Sequence, residues 1–389
     1  MDTRSPEGVS RHIGEAVVIA ASGVDDLLAS LAQEGFEVLG PTVRDGAIVV
    51  GPVHHLADLP IGIRDTQTPG SYALEQTDGD LVFAWAVGPG SWKAEFFPAR
   101  QELWRAGRDA VGVTIRQASA QPRRLALFGV RPCDLAALGI LDRVLRDGAY
   151  RDPLYGDRRD DCFVVVAECS HPASTCFCSS MGTGPDVNDG FDLALSELND
   201  EVGHRFLLRI GSAAGAALVS HLETTPATAE DWTARDAHVT RATSVMGRRL
   251  DTRGLASLAN DSIDSPRWRH VADRCLSCAN CTLVCPTCFC SDVRDVTDIT
   301  GDVIRTRGWS SCFDVDHSYL HGGPVRASGA SRYRQWFTHK LSTWWDQFDT
   351  AGCVGCGRCI TWCPVGIDIT SEAAWLRTDH ERQLEEVRS

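Results

Sequence analysis

Between Arg274 and Cys290 the sequence reads RCLSCANCTLVCPTCFC, and six of these seventeen residues are cysteine. Four of them form Cys275-x2-Cys278-x2-Cys281-x3-Cys285-Pro286, and the same spacing returns as Cys353-x2-Cys356-x2-Cys359-x3-Cys363-Pro364. Present twice, this run is the pattern that holds two 4Fe-4S cubanes. Three thiolates two residues apart on a tight loop can grip three irons of one cubane. The fourth cysteine opens a helix that points away, so it reaches the neighbouring cubane, and proline suits a chain leaving the loop. The expected ligand sets therefore cross over. Cluster one takes Cys275, Cys278, Cys281 and Cys363; cluster two takes Cys353, Cys356, Cys359 and Cys285. Structural zinc also uses Cys-x2-Cys, but in knuckles of two ligands each rather than in runs of four ending in proline. Two complete runs point to iron–sulfur clusters over zinc or disulfides.

A second constellation lies upstream. Cys133 follows a strand pattern, Cys169 ends the next one, and the loop CSHPASTCFC carries Cys176 and Cys178. Adjacent parallel strands would put Cys133 and Cys169 at one carboxyl edge of a sheet, where α/β sites form. The loop could bring Cys176 and Cys178 back to that edge, giving four thiolates for a third 4Fe-4S cluster. A zinc site or simple packing are the competing readings, since free cysteine is often buried as a small hydrophobe. Cys288, Cys290 and Cys312 stay uncertain: an incomplete extra site, or side chains shielding cluster two. Cys162 reads as strand core. His171, His317 and His321 stand near these thiols, and each is read as a satisfied surface or core histidine.

The elements that must position these groups follow from periodicity. Residues 24–35 carry apolar positions at helical spacing, and AIVV (47–50) and LVFAWAV (81–87) read as strands. LALFGV (125–130), a turn at RPCD with Asp134 as helix cap, LAALGILDRVLRDG (135–148) and CFVVVAEC (162–169) spell strand, helix, strand. That is a right-handed βαβ crossover in a parallel sheet. The polar stretch 223–231 suggests a boundary. The expected layout is an N-terminal α/β domain over 1–230 and a mainly helical dicluster ferredoxin-like domain over 231–389 with a long insert at about 286–352. Arginine and aromatic residues interleave in that insert, which reads as packing around the clusters and a partner surface. The last residues, HERQLEEVRS, read as a solvated helix end or tail.

Composition narrows the function. The chain has 389 residues, 16 cysteines and a formal net charge of −14. So acidic a chain is a poor nucleic-acid binder, because phosphate contacts need a positive face. No apolar run reaches the roughly 18 residues of a membrane span. The opening MDTRSPEGVSRHIGEAVV has no basic segment leading into a long apolar one, so no signal peptide and a cytoplasmic location are expected. Disulfides are rare in a reducing cytosol, so the sixteen thiols read as metal ligands, catalytic groups or buried fillers. Lysine occurs only as Lys93 and Lys340, a skew read as coding composition. G-x-G-x-x-G after a strand, Walker A and G-x-S-x-G are all missing. Clusters without a flavin, nucleotide or substrate fingerprint describe an electron conduit.

GVRPCDLAALGILDRVL, CSHPASTCFCSSMGTGPDVNDGFDLAL, CLSCANCTLVCPTCFC with RGWSSC, and CVGCGRCITWCPVGIDI resemble the beta subunits of cytoplasmic bidirectional nickel–iron (NiFe) hydrogenases, or sulfhydrogenases. They are similar also to the iron–sulfur electron-transfer subunit of anaerobic sulfite reductase. The resemblance runs from about Lys93 to Ile369, and Ala279 stands where such runs often carry glycine. It implies a non-catalytic iron–sulfur subunit passing electrons between a flavoprotein that oxidises NAD(P)H and the small and large hydrogenase subunits. In the other reading the acceptor is a sirohaem sulfite reductase. A stand-alone ferredoxin-like carrier is the reading of a different class; the large α/β part speaks against it.

Overall fold

The computed structural model describes residues 11–108, 110, 112–119 and 123–388. The opening ten residues, on which most of the leader expectation rests, lie outside them. An eight-stranded sheet dominates the N-terminal part. Its spatial order is Thr225–Pro226, Ala16–Ala20, Gly203–Ile210, Leu193–Asp200, Phe163–Ala167, Leu125–Val130, Glu37–Arg44, Ala47–Pro52. The four strands Leu193–Asp200, Phe163–Ala167, Leu125–Val130 and Glu37–Arg44 run parallel; antiparallel strands close both edges. Successive residues alternate between the faces. Ala126 and Phe128 join the layer of helix Gly23–Gln33, while Leu125 and Leu127 join that of helix Pro132–Leu145. Apolar cores on both faces make a three-layer α/β sandwich.

The predicted βαβ unit is present: strand Leu125–Val130, helix Pro132–Leu145, and strand Phe163–Ala167 parallel to the first. Asp134 is not its cap. The helix starts at Pro132, a favourable first position, and Arg131 is the N-cap without a side-chain bond. Asp134 faces another partner, described below. Residues 81–87 also depart from expectation. They form a buried irregular segment instead of a strand. Side chains, not a ladder, satisfy its backbone. Glu197 accepts the Val82 and Phe83 N–H groups at 2.7 and 2.8 Å, and Asp65 accepts that of Ala86 at 2.5 Å. Arg131 donates to the carbonyls of Phe83 and Trp85.

The polar stretch near 223–231 gives an edge strand and helix Ala229–Val245, opened by a capping box between Thr228 and Asp231. Arg205 bonds Asp231 and Arg235 bonds Glu168, fastening this helix to the sheet. The long insert is not purely helical. Hairpin Ser291–Thr297 and Val303–Trp309 pairs through its second strand with Arg100–Arg108, which pairs with Val113–Gln117. A four-stranded sheet is thus assembled half from each part of the chain. The arginine–aromatic stretch of the insert forms helix Gly329–Thr338, which buries Arg332, Tyr333, Trp336 and Phe337 as core. The terminal charged stretch continues helix Ile369–Arg388.

Candidate metal centres

The two cysteine runs fold alike. In each, the residues on either side of the second cysteine have left-handed backbone: Ser277 and Ala279 (φ 52° and 65°), Gly355 and Gly357 (φ 65° and 78°). This double reversal wraps the loop around a space and turns amide groups toward sulfur. Ser277 N–H donates to Cys275 Sγ at 3.4 Å, Gly355 N–H to Cys353 Sγ at 3.4 Å, and Ile367 N–H to Cys363 Sγ at 3.3 Å. Glycine is needed only in the second run. A Cβ on Gly355 would stand 2.6 Å from the Phe177 oxygen, and one on Gly357 would stand 2.6 Å from the Thr175 oxygen. The first run meets no such wall, so Ser277 and Ala279 carry only the conformational cost, about 1–2 kcal/mol each.

Cys275, Cys278, Cys281 and Cys363 line one cavity, whose wall also includes Phe313, Tyr333, Trp336 and Cys359. The set expected for cluster one is therefore brought together across 82 or more residues of chain by the crossed arrangement. Cys278 is exposed there, and Leu276 and Leu283 beside it project into solvent. The set expected for cluster two lies deeper. Burial pushes the thiols of Cys353, Cys356 and Cys359 up, and the nearby Cys285 sulfur adds to each shift. Cys285 differs. A hydrogen bond from the Cys288 thiol, helped by the Lys340 ammonium, holds it well below the usual thiol range against the effect of burial. A thiolate is the form that ligates metal.

The third set converges as well. Cys133, Cys169, Cys176 and Cys178 all line a single cavity. Cys133 comes from the first turn of helix Pro132–Leu145, and Cys169 lies two residues past strand Phe163–Ala167. Cys176 comes from the loop after it, where Cys176 N–H donates to Ala173 O and Phe177 N–H to Gly355 O, and Cys178 opens the short helix Cys178–Met181. Apart from Arg131, the remaining wall is alanine, valine, proline and glycine. Cys176 Sγ lies 3.8 Å from the Cys356 carbonyl and Thr183 Oγ1 donates to Val354 O at 2.6 Å, so this cavity abuts the second run. The thiols surround spaces; among the described residues no three Cys, His, Asp or Glu side chains are arranged to hold a single ion.

Four side chains hold these loops, and three of them, Arg358, Lys93 and Lys340, were not singled out by periodicity or spacing. Arg358, in the second run, donates to both carboxylate oxygens of Asp134 (2.6 and 2.9 Å) and to the carbonyls of Gly88 and Gly90. Both partners are buried, and the pair bolts the second run to the helix that carries Cys133. Lys93 Nζ donates to the Cys285 and Cys288 carbonyls, at 2.9 and 3.1 Å. Lys340 Nζ donates to Cys285 Sγ and Thr287 Oγ1, both at 3.1 Å, and to Gly352 O at 3.0 Å. The signal available in the sequence was rarity: these are the only two lysines of the chain.

Cys290 and Cys312 lie near each other and near Lys340; burial raises both thiols, that of Cys312 to about 12. Cys162 precedes strand Phe163–Ala167 and packs against the core of the helix Pro132–Leu145 face. His171 bonds Ser170, and burial lowers it to about 4; His317 bonds Ser310 and His321 is exposed.

A family of 4Fe-4S dicluster domains matches residues 274–367, which enclose both ferredoxin-type runs. The beta subunit of sulfhydrogenase 2 from Pyrococcus furiosus is 34% identical over 268 residues, covering 68% of this chain and 74% of that one. No helix among the described residues is long and apolar enough to cross a membrane. Iron–sulfur run, dicluster domain and extended similarity agree, and the chain belongs to the family of iron–sulfur, electron-transferring beta subunits of sulfhydrogenases.

Proposed function

We propose that this chain relays electrons through three 4Fe-4S clusters between a flavoprotein subunit that oxidises NAD(P)H and the small and large subunits of a nickel–iron hydrogenase. A 4Fe-4S cluster supplies reversible one-electron transfer. Cys275, Cys278, Cys281 and Cys363 hold the first cluster, Cys353, Cys356, Cys359 and Cys285 the second, and Cys133, Cys169, Cys176 and Cys178 the third. The observation that carries the reading is the cavity lined by that last set, pressed against Cys356. It supports a line of three: the sheet-edge site, the buried second run, then the first run with its exposed Cys278. An α/β domain over 1–230 then serves as scaffold for one cluster and a dicluster domain over 231–389 for two. The complex would be soluble and cytoplasmic. The electron-transfer subunit of an anaerobic sulfite reductase and a free carrier are the alternatives.

The test is iron and acid-labile sulfide per chain with EPR of the reduced protein, purified anaerobically with its native partners. About twelve irons are expected. About eight would return Cys133, Cys169, Cys176 and Cys178 to packing or zinc. Co-purifying nickel supports the hydrogenase partner, and sirohaem would overturn it.

A further inference from the structure

Lysine is among the residues least often fully buried, yet both lysines of this chain are buried: Lys93 is 2% exposed and Lys340 3%. A buried ammonium needs acceptors and a counter-charge. Lys340 uses its three donors on Cys285 Sγ, Thr287 Oγ1 and Gly352 O. Lys93 uses two on the Cys285 and Cys288 carbonyls and lies 3.9 Å over the Trp309 ring. None of these partners is a carboxylate. The sulfur in contact with Lys340 Nζ is Cys285 Sγ, at 3.1 Å, and Lys93 reaches the carbonyls of the same cysteine loop.

Local backbone shows that the placement is built. Lys340 lies in a π-helical turn, His339–Thr343, between helices Gly329–Thr338 and Trp344–Phe348. Such turns insert one residue into a helix and recur at functional sites. Here the turn aims Lys340 inward, and its own carbonyl accepts the Gly352 N–H at 2.8 Å. Lys340 therefore grips both ends of the Gly352 residue, next to Cys353, while its ammonium holds Cys285. The fourth ligand and the first ligand of one centre are tied by one cation. The cavity of the first set has no lysine in its wall, and in that of the third the single cation, Arg131, is committed to four carbonyls.

We propose that Lys340, backed by Lys93, is a positioning residue that raises the reduction potential of the centre held by Cys353, Cys356, Cys359 and Cys285, so that the middle of the relay is its electron sink. This rests on the ligand sets proposed above. One electron added at that centre adds one negative charge beside a fixed positive one; no proton moves and no bond forms. Net charge and hydrogen bonds to sulfur are the levers that set cluster potentials, and this ammonium supplies both.

The experiment is an EPR-monitored titration with dithionite on the full-length chain in its native complex, with iron and sulfide measured on every sample. Lys340→Gln is expected to keep its iron and to lose at least tenfold in the reduction equilibrium of one centre, a fall of about 59 mV for a one-electron couple. Lys340→Arg, which keeps the charge, is expected to recover most of that shift. An unmoved potential in Lys340→Gln at full iron content overturns the proposal. Should Lys340→Gln lose about four irons, Lys93→Gln decides: its ammonium hydrogen-bonds carbonyls and no sulfur, so a smaller shift in the same direction is expected, and none overturns the proposal. Wild-type protein with fewer than about eight irons would instead overturn the ligand reading itself.

Discussion

Arg358 and Asp134 offer the sharpest test of how the cluster loops are held. Asp134→Ala leaves the guanidinium in place, buried, with two of its four acceptors gone: the carboxylate oxygens at 2.6 and 2.9 Å vanish and the carbonyls of Gly88 and Gly90 remain. Breaking a buried pair by removing one partner costs about 3–5 kcal/mol, because the surviving charge stays uncompensated. With a urea slope of about 3 kcal/mol per molar, the midpoint falls by roughly 1–2 M. Removing both partners, as in Asp134→Leu with Arg358→Met, removes the orphaned charge and is expected to recover most or all of the loss. The assay is anaerobic urea unfolding followed by circular dichroism, on the wild type, the two single variants and the double variant. A midpoint for Asp134→Ala within about 0.3 M of wild type, or a double variant no better than the single, would refute the reasoning.

Gly355→Ala combines a left-handed backbone penalty of about 1–2 kcal/mol with an approach to Phe177 O, at 2.6 Å, that forces the third-site loop away; overpacking adds about 1–3 kcal/mol. A urea midpoint equal to wild type would contradict this, as would unchanged iron. Cys176→Ser is expected to remove about four irons and one EPR-active centre while leaving the ferredoxin-type signals; an identical spectrum would sink the third site. The hydrogen bond that His204 Nε2 donates to the Glu197 carboxylate, at 2.7 Å, raises the pKa of His204 from its ordinary 6.5. A raised folded value means that its stabilisation is complete below 6.5 and is lost as pH climbs through that folded value. Raising pH from 5.5 to 8 should therefore narrow the stability gap between wild type and His204→Gln, and a gap that stays constant would argue against it.

What could be read from the sequence was whatever is local or follows from strand order. The duplicated run is a matter of spacing over a dozen residues, and the convergence of Cys133 with Cys169 follows from two adjacent parallel strands ending at one edge. Residues 81–87 misled because their composition is that of a strand, while the groups that satisfy their backbone, Glu197, Asp65 and Arg131, come from distant parts of the chain. Asp134 has the chemistry of a cap and the position of a first-turn residue, but its partner is 224 residues away. The hairpin Ser291–Thr297/Val303–Trp309 was hidden among arginines, since its sheet is completed by Arg100–Arg108. Lys93 and Lys340 looked like residue-usage statistics; only their burial against the same loop gives them meaning.

That shared four-stranded sheet has a consequence in time. Strand Arg100–Arg108 leaves the ribosome roughly 200 residues before Val303–Trp309, its partner in the ladder. At about 5–20 residues per second, it waits some 10–40 s with one edge unpaired. Val113–Gln117 can cover only its other side. An open strand edge is a template for pairing with another chain. The nascent protein therefore passes through an interval in which aggregation competes with synthesis, and the second half of the chain ends that interval by docking as the missing strand.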